Sequence, residues 1–309
     1  MTVSAAPTTI AEYLEQLRAA LAGADPALVQ DAVYDAEEYL RSELAEQAAT
    51  GGSGRTEADV ISAVASSYGA PEEVADIYRD TEVKVSQALR APPPKPRSSA
   101  LGRFFGVAAD PRAYAALFYM LLSLATGIFY FTWVVTGMSL SLGLAVLIIG
   151  IPFVILFFGS VRLLALVEGR LVEAMLGERM PRRPLYASRG LPLIERIKAM
   201  FTDPRSWSTL LYMLLMLPLG IVYFTIAVTG ITVALSLIIA PVLHWLGADN
   251  GELWLNGMLV ESHIADWSTP FVLIAGVLLL FVVLHVARGI GHLHGQLAKH
   301  LLVRTAQHA

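Results

Sequence analysis

The pattern of hydrophobic and polar positions divides the chain into an amphipathic N-terminal part and a strongly apolar remainder. In residues 8–90, apolar positions recur at helical spacing between polar faces, which predicts four short amphipathic helices. Further on, the stretches 113–161, 206–243 and 267–284 contain no Asp, Glu, Lys, Arg or His. A helix needs roughly 20 apolar residues to cross the hydrocarbon core of a membrane. The three stretches are therefore long enough for two spans, one to two spans and one span, respectively.

A segment of this apolar part occurs twice, at 110–137 and at 203–230. With an offset of 93 and no gap, 17 of the 28 positions are identical. A weaker match at an offset of 126 aligns 162–176 with 288–302. Each repeat is therefore predicted to be a hairpin of two spans. An even number of crossings per repeat would give both hairpins the same orientation, related by a pseudo-twofold axis along the membrane normal.

The residues that recur in both repeats are interpreted as structural. An aspartate before a proline suits the start of a helix, and glycines let two helices approach closely. Recurring tyrosines, which include Tyr119 and Tyr212, favour packing and hydroxyl hydrogen bonds between hairpins over a ligand site. The repeat-motif residues are Asp110, Arg112, Gly127, Tyr130, Gly137, Asp203, Arg205, Gly220, Tyr223 and Gly230.

The positions of the basic residues predict the orientation in the membrane. All 22 Lys and Arg residues fall within the blocks 18–112, 162–205 and 288–304. Basic residues near the ends of spans are retained in the cytoplasm, which predicts four spans with both termini inside. The apolar stretch 231–243 is too short to be a fifth span, because thirteen helical residues cover only about 20 Å. It either extends the third helix or lies at the outer interface.

The second repeat carries 126 − 93 = 33 extra residues, placed at about 240–270 on the extracytoplasmic side. Asn256-Gly257 between two apolar runs predicts a small β-hairpin there. The candidate sensing loop consists of Asp249, Glu252, Trp254, Asn256, Gly257, Glu261, His263 and Asp266. Its acidic and histidine side chains could gather around a cation, while a solvated acidic loop is the simpler interpretation.

The residues that chemistry would need are mostly absent from the sequence. The chain has no cysteine, which excludes disulfides and thiolate catalysis. It shows no phosphate-binding loop, nucleophile elbow or metalloprotease motif, so we expect no enzyme, no cofactor and no metal. No ionisable residue deep in a span is visible, which disfavours proton-coupled transport. The four histidines at 285, 292, 294 and 300 could bind haem or a metal, but ordinary interfacial histidines are the simpler interpretation.

Residues 8–82 resemble the HAAS domain, a small helical signalling module of bacterial membrane proteins. The resemblance rests on the segments "YLEQLRAAL", "DAEEYLRSELAE" and "ADVISAVASSYGAPEEVADIYRD". Genes for such proteins often lie beside those for PadR-like transcription regulators. The resemblance therefore implies signalling, with a PadR-like regulator as the first candidate partner.

Residues 104–303 resemble a sensor domain of bacterial membrane proteins that also occurs at the N-terminus of certain histidine kinases. The resemblance rests on the Gly-x-x-Tyr-Phe-Thr segments at 127–137 and 220–230 and on the arginines at 162 and 288. No ATP-binding segment follows it, so an output would have to pass through the N-terminal helices or a partner.

The sequence thus predicts an all-α protein of the bacterial cytoplasmic membrane, with a small extracytoplasmic β-hairpin loop. Its parts are a cytoplasmic helical domain at 1–90, a proline-rich linker at 91–101, and transmembrane repeats at 102–200 and 201–305. The predicted function is a multi-pass sensor or signalling adaptor that relays an envelope or membrane signal to a cytoplasmic regulator. A small-solute transporter or transporter accessory subunit is the alternative. The lipid bilayer is an expected partner, a homo-oligomer is compatible with the pattern, and no direct nucleic acid binding is expected.

Overall fold

The computed structural model describes residues 6–49, 56, 58–59, 61–63, 68–89, 99–144, 150–181, 202–246, 253–255, 258–260 and 266–303. Its regular structure is helical except for one pair of short strands. The all-α prediction, with an N-terminal helical region followed by four long apolar helices, is confirmed.

The N-terminal region contains α1 (Ile10–Ala20), α2 (Pro26–Ala49) and α3 (Pro71–Leu89). Between α2 and α3, residues 58–59 and 61–63 are helical, and the rest of the predicted third helix lies outside the described residues. The amphipathic faces pack into one core, which contains Tyr13, Leu14, Leu17, Leu21, Val29, Ala32, Val33, Ala36, Leu40, Ile61, Val74 and Ala75. Burial of these apolar side chains is the main stabilisation of the region.

Two tyrosine hydroxyls join distant parts of this core. Tyr13 donates a hydrogen bond to the carbonyl oxygen of Gly69 at 2.8 Å, and Tyr78 donates to the carboxylate of Asp35 at 2.9 Å. Burial is the largest cause that raises the pKa of both phenols. Both hydroxyls therefore keep their protons and remain donors at neutral pH.

The second part of the chain begins with α4 (Ala100–Phe105) and a 3-10 turn at Gly106–Ala109. Four long helices follow: α5 (Pro111–Leu144), α6 (Gly150–Leu176), α7 (Pro204–Trp245) and α8 (Thr269–Leu302). Each is long and apolar enough to cross a membrane, and only 17% to 33% of its most apolar window is buried inside the protein. The remaining apolar surface faces outward, as lipid-facing surface does, so the chain is a multi-pass membrane protein. The stretch 231–243 is part of α7 and extends the third span.

Strands β1 (Leu253–Leu255) and β2 (Met258–Val260) pair antiparallel between α7 and α8, with Leu255 opposite Met258. This register leaves 256–257 to connect the strands, and those two residues lie outside the described residues. That the strands are extracytoplasmic stays a prediction.

Helices α5 and α7, the first helices of the two repeats, touch through matched glycines. A Cβ atom at Gly127 would lie 2.4 Å from the carbonyl oxygen of Met216, and one at Gly220 would lie 2.3 Å from that of Ser123. Ser123 and Met216 are themselves equivalent at the offset of 93. The two backbones therefore approach closely at a pseudo-twofold crossing, which only glycine permits.

The direction of the two repeats differs from the prediction of a same-orientation pair. Met120, which precedes the crossing in α5, is buried with Ala227, which follows the crossing in α7. Ala113, at the start of α5, is likewise buried with Leu284 of α8, the helix that returns from the end of α7. α5 and α7 therefore run antiparallel, and the pseudo-twofold axis lies across the helices. The charge pattern predicts an axis along the membrane normal. Glycine contacts between equivalent positions are compatible with that axis and also with one across the helices.

Within each repeat, a second glycine packs against the returning helix. Gly137 of α5 faces the ring of Phe157 on α6, and Gly230 of α7 faces Val283 on α8. Phe157 and Val283 are equivalent at the offset of 126. The same small-against-large contact therefore holds both hairpins together.

Candidate functional site

Six polar side chains meet where the four long helices cross. They are Glu168 of α6, His294 of α8, Tyr119 and Tyr130 of α5, and Tyr212 and Tyr223 of α7. We call this set the bundle-centre cluster. Glu168 has 0% and His294 1% of its surface exposed, so both ionisable side chains are cut off from solvent. Such groups need hydrogen-bond partners, because an unpaired buried charge is very costly.

Three tyrosine hydroxyls surround the Glu168 carboxylate. Its Oε1 lies 2.6 Å from the hydroxyl of Tyr119 and 2.9 Å from that of Tyr212, and its Oε2 lies 2.9 Å from that of Tyr130. Two of these hydroxyls come from its own repeat and one from the other repeat. A carboxylate with three donors is well satisfied without a basic partner.

His294 shares two of these hydroxyls. Its Nε2 lies 2.7 Å from the hydroxyl of Tyr119 and 3.0 Å from that of Tyr212, and its Nδ1 lies 3.3 Å from that of Tyr223. The two shared hydroxyls thus bridge the carboxylate and the imidazole. The result is one connected hydrogen-bond network from Glu168 to Tyr223.

The cluster follows the internal symmetry of the chain. Glu168 and His294 are equivalent at the offset of 126, and each contacts both tyrosines of its own repeat and the first tyrosine of the other. Within the cluster, the two repeats differ in that one supplies an acid and the other a base at the equivalent position. This substitution gives the cluster a pair of groups that can exchange and hold protons.

A short segment after α6 packs against the glycines that follow Glu168 and His294 in the sequence. We call residues 178–180 the return segment. Gly177, with φ +76°, ends α6 in a left-handed conformation that glycine adopts easily. Glu178 then lies against Gly295, next to His294, and Met180 lies against Gly169, next to Glu168. Met180 is completely buried. A cavity of about 60 Å³ beside Gly169 and Met180 adjoins this contact.

The N-terminal region is held against the same part of the bundle by ion pairs. Arg179 of the return segment pairs with Asp31 at 3.5 Å and also with Glu82. Lys299, five residues after His294 on α8, pairs with Asp25. Asp25 also caps the start of α2 by accepting a hydrogen bond from the backbone N–H of Ala27. The acidic face of the N-terminal helices thus docks beside the bundle-centre cluster.

The candidate sensing loop falls mostly outside the described residues. Six of its residues are not described, and their predicted role in sensing stays a prediction: Asp249, Glu252, Asn256, Gly257, Glu261 and His263. The backbone of Trp254 lies in β1. Asp266 is exposed and lies 2.7 Å from Nε2 of His244.

The repeat-motif residues have the structural partners that helix starts and packing require. Asp110 and Asp203 accept hydrogen bonds from the backbone N–H groups of Arg112 and Arg205, each at 3.0 Å. The two aspartates also form equivalent ion pairs between repeats: Arg288 with Asp110 at 3.0 Å and Arg162 with Asp203 at 3.8 Å.

The predicted tyrosine hydroxyl bonds are present, but their acceptors were missed. In the sequence, Arg162 predicts the end of a span, which leaves Glu168 outside the apolar core, and His294 is interpreted as an interfacial histidine. Both interpretations are wrong, because both side chains are buried at the bundle centre. The signal that could have found them is the offset of 126, which aligns Glu168 with His294 one residue before the matched glycines Gly169 and Gly295.

Two family models match the chain. Residues 119–302 match the family described as "Putative sensor", and residues 12–77 match the family described as HAAS. No curated protein and no solved structure matches the chain. The two matched families and the four apolar helices fit a membrane sensor or signalling role.

Proposed function

Because the chain belongs to the sensor family that its residues 119–302 match, we propose that it relays an envelope or membrane signal to a cytoplasmic regulator without catalysis of its own. In this proposal it lies in the bacterial cytoplasmic membrane with both termini in the cytoplasm, as the three basic blocks predict. The helical bundle detects the signal, and the N-terminal HAAS region delivers it.

The observation that carries this proposal is the docking of the N-terminal region beside the buried cluster. Arg179 belongs to both parts at once, since its neighbour Met180 is buried in the bundle while its own guanidinium pairs with Asp31 and Glu82. A displacement of the return segment would therefore move or release the docked helices. Lys299 adds a second contact from α8, the helix that carries His294.

The partner we propose is a PadR-like transcription regulator. The match to the HAAS family supports it, since HAAS domains associate with regulators of this class. The N-terminal helices offer a folded surface of their own, with the core described above. Release of their docked acidic face would change the surface that such a regulator meets.

Removal of residues 1–90 tests the proposal. We expect the four apolar helices still to insert, and we expect the genes controlled by the regulator to stop responding. Transcript levels in a deletion strain complemented with the whole or the shortened chain measure this outcome. A normal response from the shortened chain would place the output in the membrane helices and refute the relay.

A point variant tests the same contact without removing the domain. Arg179→Gln should weaken the response, because it removes the charge that pairs with Asp31 and Glu82. Arg170→Gln is the matched control, since Arg170 lies near the end of α6 but pairs with Glu173 of its own helix. Equal effects of the two variants would mean that docking through Arg179 is not part of the relay.

A proton-coupled small-solute transporter is the second candidate function, and the bundle-centre cluster favours it. Ionisable groups inside a helical membrane bundle commonly mark ion or proton paths, and Glu168 and His294 form such a pair. Flux of solute or protons through vesicles that contain the purified protein would support this candidate. If sealed vesicles that contain the protein show no flux of solute or protons, the transporter is excluded and the sensor function is favoured.

A further inference from the structure

We infer that the bundle-centre cluster is a proton-binding site whose occupancy controls how the N-terminal region docks. The ligand is thus a proton, taken up or released by the network that joins Glu168 to His294. This inference rests on the proposed function, because it names the signal that the sensor would relay.

The hydrogen-bond geometry allows two proton counts with the same set of contacts. With Glu168 as a carboxylate, Oε1 accepts the protons of both bridging tyrosines, so Nε2 of His294 must carry a hydrogen to bond their oxygens. Nδ1 is then either an acceptor from Tyr223 or, with one more proton, a donor to it. The bond between Nδ1 and Tyr223, at 3.3 Å, is the longest of the six.

The two proton counts differ in net charge. The first leaves the buried cluster with one negative charge, and the second leaves it neutral as an internal ion pair. A proton placed on Glu168 instead gives the same neutral total. Charge at 0% exposure acts strongly on its neighbours, because little water screens it.

The groups that face the pair come from every element around it. α5 and α7 contribute only the tyrosines named above. The return segment contributes Glu178, whose carboxylate lies 3.3 Å from Nδ1 of the exposed His292 on α8. Glu178 packs on Gly295, the residue that follows His294. A negative cluster therefore repels Glu178, and a neutral cluster does not.

This repulsion reaches the N-terminal region through the next residue. Glu178 is followed by Arg179, which holds Asp31 and Glu82. The cavity of about 60 Å³ beside Met180 gives the return segment room to shift. Proton uptake should therefore tighten the docking of the N-terminal helices, and proton loss should loosen it.

Spin-label distances in the full chain, reconstituted in lipid nanodiscs, test the inference. The natural chain has no cysteine, so Ala19→Cys on α1 and His300→Cys on α8, both at exposed positions, take unique labels. We compare distance distributions at about pH 4 and about pH 8, an interval that spans the ordinary pKa values of glutamate and histidine side chains. The expected result is a narrow, short distribution at low pH and a broader or longer one at high pH.

Variants assign the response to the cluster. Glu168→Gln keeps the shape of the side chain but cannot become negative, so its distribution should stay narrow at both pH values. Two controls should keep the pH response: Glu173→Gln, an acid on the same helix paired with Arg170, and His292→Gln, which removes the exposed histidine beside Glu178.

Three outcomes would overturn the inference. The first is a distance distribution that is the same at both pH values in the labelled chain with no change in the cluster. This comparison does not depend on whether a cluster variant folds. The second is a pH response that persists in Glu168→Gln, and the third is one that vanishes in His292→Gln. The proposed relay is tested separately by the chain that lacks residues 1–90. If the regulated genes stop responding to that chain, the relay stands whichever of these three outcomes is found.

Discussion

Tyr130 and Tyr223 are equivalent in the two repeats but bond different acceptors. Tyr130 donates to the carboxylate of Glu168 at 2.9 Å, whereas Tyr223 meets the imidazole of His294 at 3.3 Å. Hydrogen bonds to charged groups contribute about 1.5–3 kcal/mol, and a long bond between neutral groups contributes less than about 1 kcal/mol. Tyr130→Phe should therefore lower the free energy of unfolding more than Tyr223→Phe does.

Reversible unfolding in mixed detergent micelles measures this difference, with Tyr114→Phe as a control. Tyr114 is also on α5 but is half exposed and bonds the carbonyl oxygen of Ala108. Equal losses at positions 130 and 223 would show that the rings stabilise the bundle by packing and that the carboxylate adds nothing.

At this scale the sequence allowed prediction of the tyrosines but not of their acceptors. A tyrosine that recurs in two apolar repeats must satisfy its hydroxyl, and recurrence is visible without a structure. Glu168 and His294 have different chemistry, so the repeat comparison finds no identity there. Arg162 looked like the end of a span because its partner, Asp203, comes from the other repeat. Tertiary partners of this kind leave no trace in local hydropathy.

At the scale of helices, the crossing of α5 and α7 depends on having no side chain at two positions. A methyl group at Gly127 or Gly220 would meet a backbone carbonyl oxygen at 2.4 or 2.3 Å, and backbone cannot rotate away as a side chain can. Gly127→Ala and Gly220→Ala should each cost about 1–3 kcal/mol of unfolding free energy, as overpacking does.

Gly143→Ala is the matched control for these two variants. Gly143 lies on α5 as well, and nothing lies within 4 Å of the Cβ atom that alanine would add. Its substitution should leave the unfolding free energy unchanged or raise it slightly, since alanine favours helix over glycine. The same unfolding assay compares all three variants. A loss at position 143 as large as that at 127 would argue that helix propensity, and not the crossing, sets the cost.

The helices themselves were largely predictable, because length and continuous apolarity define them. The stretch 231–243 shows the limit of predicting helices from length and apolarity. Its thirteen residues were too few for a span, yet hydropathy could not decide between an interfacial segment and an extension of the third helix. The structure has it as part of α7. The direction of α7 relative to α5 was likewise undetermined, since matched glycines serve a parallel or an antiparallel crossing.

For the whole molecule, the division into a HAAS region and a sensor bundle followed from the sequence, and the way the two parts meet did not. Asp25 lies just before α2, Asp31 lies on α2 and Glu82 lies on α3. Their partners Arg179 and Lys299 lie about 100 to 270 residues away in the chain. Contacts at such separations depend on the assembled fold, so no local sequence pattern predicts them.

The side of the membrane on which each connection emerges is the last property to settle, and two arguments about the whole molecule differ on it. Placing one Lys or Arg at the bilayer centre costs about 2.5–3.5 kcal/mol, and the block 162–205 alone holds nine. Charge therefore predicts that reporter fusions after residue 95, near 185 and after 305 are cytoplasmic and that fusions near 147 and 250 are extracytoplasmic. Matching results near 147 and 250 would mean that α5 and α7 lie parallel in the bilayer. They would contradict the antiparallel packing of α5 and α7, and with it the ion pair between Arg288 and Asp110. Opposite results at these two sites would contradict the charge argument and show that the antiparallel packing of α5 and α7 persists in the membrane.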